Sequence, residues 1–196
     1  MRGQEQALSA VLITAVLISV VGSVFLWGIP LIQKNRDAAT LGTAESFAVT
    51  LDQKIKRVAN TGGQETLDFT LPGTIGFVDG QIVMTFETKG TIYATEAAVP
   101  LGLNDCSRES GNLSIDTSDV LCVTSSRKGD TIETVYRLRY IPLQADTTTS
   151  YLIILTGTPA ARGPGHKLIM EHHGTRDQTG QNGKKTIITD VEISIV

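Results

Sequence analysis

The stretch ALSAVLITAVLISVVGSVFLWGIPLI, residues 7–32, runs for 26 positions without one charged side chain. As a helix it is long enough to cross a bilayer core of roughly 30 Å. Fifteen of its residues are Leu, Ile, Val or Phe. At about −0.3 to −0.6 kcal/mol each they favour insertion by roughly −5 to −9 kcal/mol before polar corrections. Ser9, Thr14, Ser19 and Ser23 reduce that figure without reversing it, because their hydroxyls can bond back to the preceding turn. A buried helix of a soluble protein is the plainer reading, but such helices rarely stay apolar on every side for this long. A secretory signal has an apolar core of only about 7–15 residues and a small-residue cleavage site behind it. Here Ile32-Gln33-Lys34-Asn35-Arg36-Asp37 stands in that place, so the run is expected to be retained.

Downstream, the pattern stays helical. Gly28-Ile29-Pro30 interrupts it near the membrane exit, where proline removes a hydrogen bond and is expected to bend the axis. Ala44, Ala48, Leu51, Ile55 and Val58 then recur at spacings of three and four, while Lys54, Lys56 and Arg57 largely take the other sides. Asn60-Thr61-Gly62-Gly63 ends the pattern, with glycine available as the cap. The expectation is a helix from about Gln4 to Asn60, roughly 85 Å long at 1.5 Å per residue. Its membrane-like part covers 4–32 and its amphipathic continuation 33–62.

From residue 63 to 196 the period is that of strands. Thr66–Leu71 alternates, and Thr74–Val78 and Ile82–Glu87 flank Asp79-Gly80, a strong hairpin signal. Thr91–Val99, Val120–Ser125, Thr131–Leu143, Ser150–Gly157, Lys167–His173 and Lys185–Val196 are further strand candidates. Pro72, Pro100, Pro142, Pro159 and Pro164 stand at their ends, where proline is tolerated. Gly174–Lys184 is polar and glycine-rich and reads as an exposed hairpin loop. The fold class is therefore α+β: a long N-terminal helix followed by an antiparallel β-sandwich-like head.

The chain has 196 residues and a formal net charge of −3, so it carries no basic footprint for nucleic acid. Aromatic residues make up 5% of it, too few for an extended stacking surface. No nucleophile elbow, phosphate loop or CxxC pair is present, and no enzyme activity or cofactor is expected. His166, His172 and His173 invite a metal reading. Adjacent strand residues point to opposite faces, however, so solvated edge-strand histidines are the expectation and no metal site is assigned. Cys106 and Cys122 enclose 15 residues. A disulfide across that loop would contribute about 3 kcal/mol in the chain-entropy model and suits an exported domain; two free thiols are the alternative. Asn112-Leu113-Ser114 between them fits the glycosylation sequon, which makes Asn112 a candidate acceptor. On the apolar helix Ala7, Ala15, Ser19 and Ser23 share one stripe, where small side chains would let helices approach closely.

The N-terminus, Met1-Arg2-Gly3-Gln4-Glu5-Gln6 directly before the apolar run, resembles the class III signal peptide of archaeal type IV pilins and archaellins. The resemblance covers roughly the first 35 residues and rests on Arg2, Gly3 and Gln4. It implies a short leader, residues 1–3, cut between Gly3 and Gln4 by a prepilin peptidase. Many members carry a glutamate five residues into the mature chain; here that place is Leu8, and the acid is Glu5. The resemblance implies a structural subunit whose helices bundle with other copies of itself or with other pilins. Its head would lie outside the cell, in an adhesive or other surface appendage. Counting basic flanks alone would lean towards the opposite orientation; the leader, the cysteine pair and the sequon outweigh it. The alternative from another class is a monomeric membrane-anchored binding module that uses the same anchor merely to hold its head outside.

Overall fold

The computed structural model describes residues 2–157, 160–180 and 183–196, residues 2–8 by their backbone alone. Pro159, expected at a strand end, and positions 181 and 182 of the expected 174–184 loop lie outside them.

Helix α1 (Arg2–Ser23) passes through a five-residue π-helix (Val24–Gly28) into α2 (Ile29–Thr61). Ser23, Gly28 and Ile29 at the joins all keep right-handed helical dihedrals. The interruption expected at Gly28-Ile29-Pro30 is therefore absorbed rather than opened into a break. Pro30 has no N–H to offer the carbonyl one turn below, and its ring crowds that carbonyl. Widening the turn just before it to π geometry relieves both conflicts. The rod is about 90 Å long at 1.5 Å per residue. It ends at Gly62 (φ 75°), whose N–H donates to the Val58 carbonyl at 2.9 Å.

Among the described residues twelve strands follow: β1 (Gln64–Phe69), β2 (Thr74–Val78), β3 (Gln81–Thr88), β4 (Ala98–Pro100), β5 (Gly111–Asn112), β6 (Asp119–Lys128), β7 (Thr131–Tyr140), β8 (Leu143–Gln144), β9 (Thr149–Gly157), β10 (Ala160–Arg162), β11 (His166–Thr179) and β12 (Lys185–Ile195). They form two six-stranded sheets, ordered β1-β11-β12-β9-β8-β5 and β10-β2-β3-β7-β6-β4. The head is mostly antiparallel, as expected, but β12 runs parallel to β9 and β5 parallel to β8. The Asp79-Gly80 hairpin is present, with Val78 opposite Gln81 and positive φ at both turn residues (51° and 75°). That is the geometry an Asp-Gly pair favours.

Four expectations need correction. Residues 91–97 form no strand beyond one bridge, Thr95 to Ser125. Thr91 Oγ1 accepts the Tyr93 N–H at 3.1 Å, so a side chain takes the donor a ladder would have used. The candidate 131–143 stops at Tyr140. Much of the expected loop 174–184 is strand: β11 continues to Thr179 after a register shift between His172 and Gly174. Finally, His166 lies opposite Phe69 of β1, and His172 faces Val191 of β12, so these two are not on an outer edge of the sheet.

The main core is one cluster fed by three elements, with a small second cluster of Val120, Cys122 and Ile141. Leu41, Ala44, Ala48, Leu51, Ile55 and Val58 of α2 are 0–1% exposed. They meet Ile75, Met84, Phe86, Leu121, Val123, Tyr136 and Leu138 of one sheet and Leu155, Leu168, Met170, Val191 and Ile193 of the other. Ala44 and Ala48 let the helix axis come close. A row of rings fills the remaining volume: Phe47–Phe69 (5.3 Å), Phe69–Phe86 (6.5 Å), Phe86–Tyr136 (5.8 Å) and Tyr136–Tyr93 (5.9 Å). Five of the chain's ten aromatic residues are spent here.

Strand register gives the head two ends. The turns 71–73, 88–91 and 128–131 lie beside the start of the head-bound part of α2. The end of α2, the 79–80 turn and the start of β12 lie at the far end.

Because Leu51 is shared by both sheets through this cluster, Leu51→Ala should cost about 2–5 kcal/mol of head stability. Urea unfolding of the full chain in detergent checks this; a change under about 0.5 kcal/mol would contradict the shared core.

Candidate functional site: an exposed apolar helix and its junction with the head

From Val11 to Ile32 every Val, Ile, Leu, Phe and Trp side chain is 53–83% exposed. This segment is the one helix among the described residues long and apolar enough to cross a membrane. A helix apolar on all sides is covered by lipid or by other chains. Its hydroxyls are already satisfied. Thr14 donates to the Ala10 carbonyl (2.8 Å), Ser19 to Ala15 (2.9 Å) and Ser23 to Ser19 (2.8 Å). Hence none of the three carries an unmet donor into an apolar surrounding. Ala15, Ser19 and Ser23 form a continuous i, i+4 stripe that stops where the π turn begins. Ala7, placed on the same stripe by the sequence, and Gly3 and Gln4 of the expected cleavage point all lie in α1 and are described by their backbone alone.

Above this segment the helix is fastened to the head by polar bonds that sequence reasoning missed. Asp37, 6% exposed, accepts the backbone N–H groups of Lys89 (3.0 Å) and Gly90 (2.9 Å) with one oxygen, and Gln33 Nε2 (2.8 Å) with the other. Tyr136 donates to the Leu41 carbonyl (2.9 Å), and Tyr93 donates to Glu45 (2.8 Å). Two turns further on, Lys56 bridges Asp52 (2.8 Å) and Asp119, and Tyr140 donates to Asp52 (2.8 Å). Lys54 and Arg57 hold Glu65 at the start of β1. The signal for Asp37 and Asp52 was present in the sequence. Asp37 falls four residues before Leu41, in register with the apolar stripe, where a charge has to find partners inside the fold.

Burial raises the pKa of Asp52, against the pull of Lys56. For Lys56, burial alone would lower the value, but the bonds to Asp119 and Asp52 outweigh it and the net shift is upward. Burial also raises Tyr93 and Tyr140, and pushes Tyr136 up to about 12.

Cys106 and Cys122 are joined, with Cα atoms 5.8 Å apart, which ties the 101–118 loop to β6. Asn112 is exposed. Its Oδ1 accepts the Ser114 N–H at 3.0 Å, so the sequon is a tight turn on the surface. His173 Nε2 lies 2.8 Å from a Glu192 oxygen, and His166 Nε2 lies 3.2 Å from the Arg162 carbonyl. No group of three His, Cys, Asp or Glu side chains is arranged for a metal among the described residues. The candidate residues thus fall in separate places: the small-residue stripe below the head, the disulfide and Asn112 on the head itself.

No family model, curated protein or solved structure matches this chain.

Two outcomes follow from the junction. Asp37→Ala strands the Lys89 and Gly90 amides, which should cost about 1–3 kcal/mol, whereas Asp37→Asn keeps an acceptor and should cost less. Hydrogen exchange at those two amides reads the difference. Tyr93, Tyr136, Tyr140 and Lys56 hold their protons to higher pH in the folded chain than at their ordinary values of 10.0 and 10.5. Unfolding therefore releases protons in that range. The stability these four contribute is complete below about pH 10 and falls as pH rises towards about 12. Thermal melts in detergent across that window should show a falling midpoint, reduced in slope by Tyr136→Phe.

Proposed function

We propose that this chain is a structural subunit of an archaeal type IV pilus-like surface filament, assembled through its N-terminal helix. The observation that carries the reading is the apolar segment, exposed on every side and continuous with a helix fastened into the head. Before assembly, lipid covers that segment and the chain is membrane-anchored with its head outside the cell. After cleavage between Gly3 and Gln4 by a prepilin peptidase, as the N-terminal resemblance implies, neighbouring copies replace the lipid. The stripe Ala15–Ser19–Ser23 supports close approach between helices. Packing of small side chains, rather than the hydrophobic effect, holds helices together in an apolar surrounding. The fastened junction suits a subunit under load, because tension along the helix passes into the head through Asp37, Tyr136 and the Lys56 bridge.

Ser19→Leu combined with Ser23→Leu separates this from a monomeric membrane-tethered module. Both variants remain apolar enough to insert, so a simple anchor tolerates them. In a packed bundle the added bulk costs about 1–3 kcal/mol per site, repeated in every subunit. The expected outcome is normal membrane insertion and normal Gly3–Gln4 cleavage with loss of filaments from sheared cell-surface material under electron microscopy. Unchanged filaments would remove the stripe from the assembly interface. Wild-type protein that stays entirely with the membrane would favour the tethered module.

A further inference from the structure

At the foot of the head, an open pocket of about 440 Å³ lies between the helix and the 89–91 turn. Ile29, Pro30 and Ala38 supply its apolar wall, and Lys34 and Lys89 supply two cations. Both lysines are exposed, and among the described residues neither side chain takes part in an ion pair. The one carboxylate lining the pocket, Asp37, is occupied by the Lys89 and Gly90 amides and by Gln33. The pocket therefore sets two lysines against one carboxylate, a net positive charge beside an apolar wall.

Its height relative to a membrane can be read from the helix. The 26 uncharged residues span about 39 Å, which exceeds the roughly 30 Å hydrocarbon core by about 9 Å. The top of the run, from Trp27 to Ile32, then stands at the headgroup boundary. Trp27 is the only tryptophan of the chain and is 83% exposed; tryptophan prefers that boundary. Lys34 follows seven residues later, about 10 Å higher. Helical side chains lean towards the N-terminus, so its long stem reaches back down to the phosphate level. Lys89 comes to the same level from the head, held there by the bonds from its own amide and that of Gly90 to Asp37.

We infer that this pocket seats the headgroup of an anionic phospholipid, its phosphodiester between Lys34 and Lys89 and its upper acyl chain against Ile29 and Pro30. The inference rests on the membrane-anchored half of the functional reading and not on the filament. A seated lipid sets the head at a fixed height on the bilayer.

The single tryptophan makes the test direct. The full chain is reconstituted in phosphatidylcholine vesicles with a minor fraction of brominated lipid, either phosphatidylglycerol or phosphatidylcholine, and Trp27 quenching is measured. Brominated phosphatidylglycerol should quench at least about threefold more effectively, given the attraction of each lysine to an anionic headgroup. Lys34→Gln with Lys89→Gln should remove that preference, while Lys185→Gln at the far end of the head should leave it intact. Equal quenching by the two lipids in the wild-type chain would overturn the headgroup seat and leave the anchor standing. A preference that survives the double substitution would also overturn it, by placing the anionic lipid elsewhere. Absence of quenching by either lipid would overturn the seat together with the anchor.

Discussion

The apolar face of α2 holds the head together. Both sheets pack on Leu41, Ala44, Ala48, Leu51, Ile55 and Val58, which water does not reach. Removing the helix from that cluster would expose the inner faces of two six-stranded sheets at once. Much of the free energy of burying those faces, at about 25 cal/mol per Å² of apolar surface, therefore comes from the helix–sheet contact.

The same helix is also the apolar rod below the head, and this gives the molecule its mechanical character. Pro30 sits where a bend would separate the two halves. A π turn just before it keeps the backbone helical across the join. Directly above, Asp37 fixes the 88–90 turn to the helix. The buried polar groups of α2 serve this fastening: Asp37, Asp52 and the Leu41 carbonyl each accept bonds from the head. A rod and a head joined in this way move together, so whatever covers the rod positions the head.

The far end of the head has a different character. The β11–β12 hairpin runs past the residues that β1 covers, stiffened by the Arg176–Asp190 and Lys185–Asp177 pairs. Exposed ion pairs of this kind contribute little stability, but they keep the β11 edge beyond β1 polar and discourage edge-to-edge pairing, while β9 covers the other side of β12. Within the loop that the disulfide closes, Asn112 offers its turn to solvent. The chain is thus graded from an apolar foot through a basic neck to a polar tip.

Local patterns were enough to read much of this. The absence of charge over 26 residues marked the apolar rod, a spacing of three and four marked the buried face of α2, and Asp79-Gly80 marked a hairpin, because each is dictated by neighbouring residues in the chain. The cysteine pair was legible as a candidate because its loop length suits a bridge. What the sequence left undecided depends on residues distant along the chain. Tyr93 turns inward because Glu45 and Tyr136 wait 48 and 43 residues away, and that pull, with the Thr91 side-chain bond, prevents a strand over 91–97. β11 extends through a polar, glycine-rich stretch because β12 supplies a partner for each residue from Thr175 to Thr179, a pairing no local propensity reveals. The register of Asp37 with the buried face is local, but its partners, the Lys89 and Gly90 amides, come from 52 and 53 residues away. The sequence by itself determined which segment shuns water and which face of α2 is buried, since burial follows the order of side chains. Only the tertiary structure decided how the rod is fastened to the head, since those hydrogen bonds join segments far apart in the sequence.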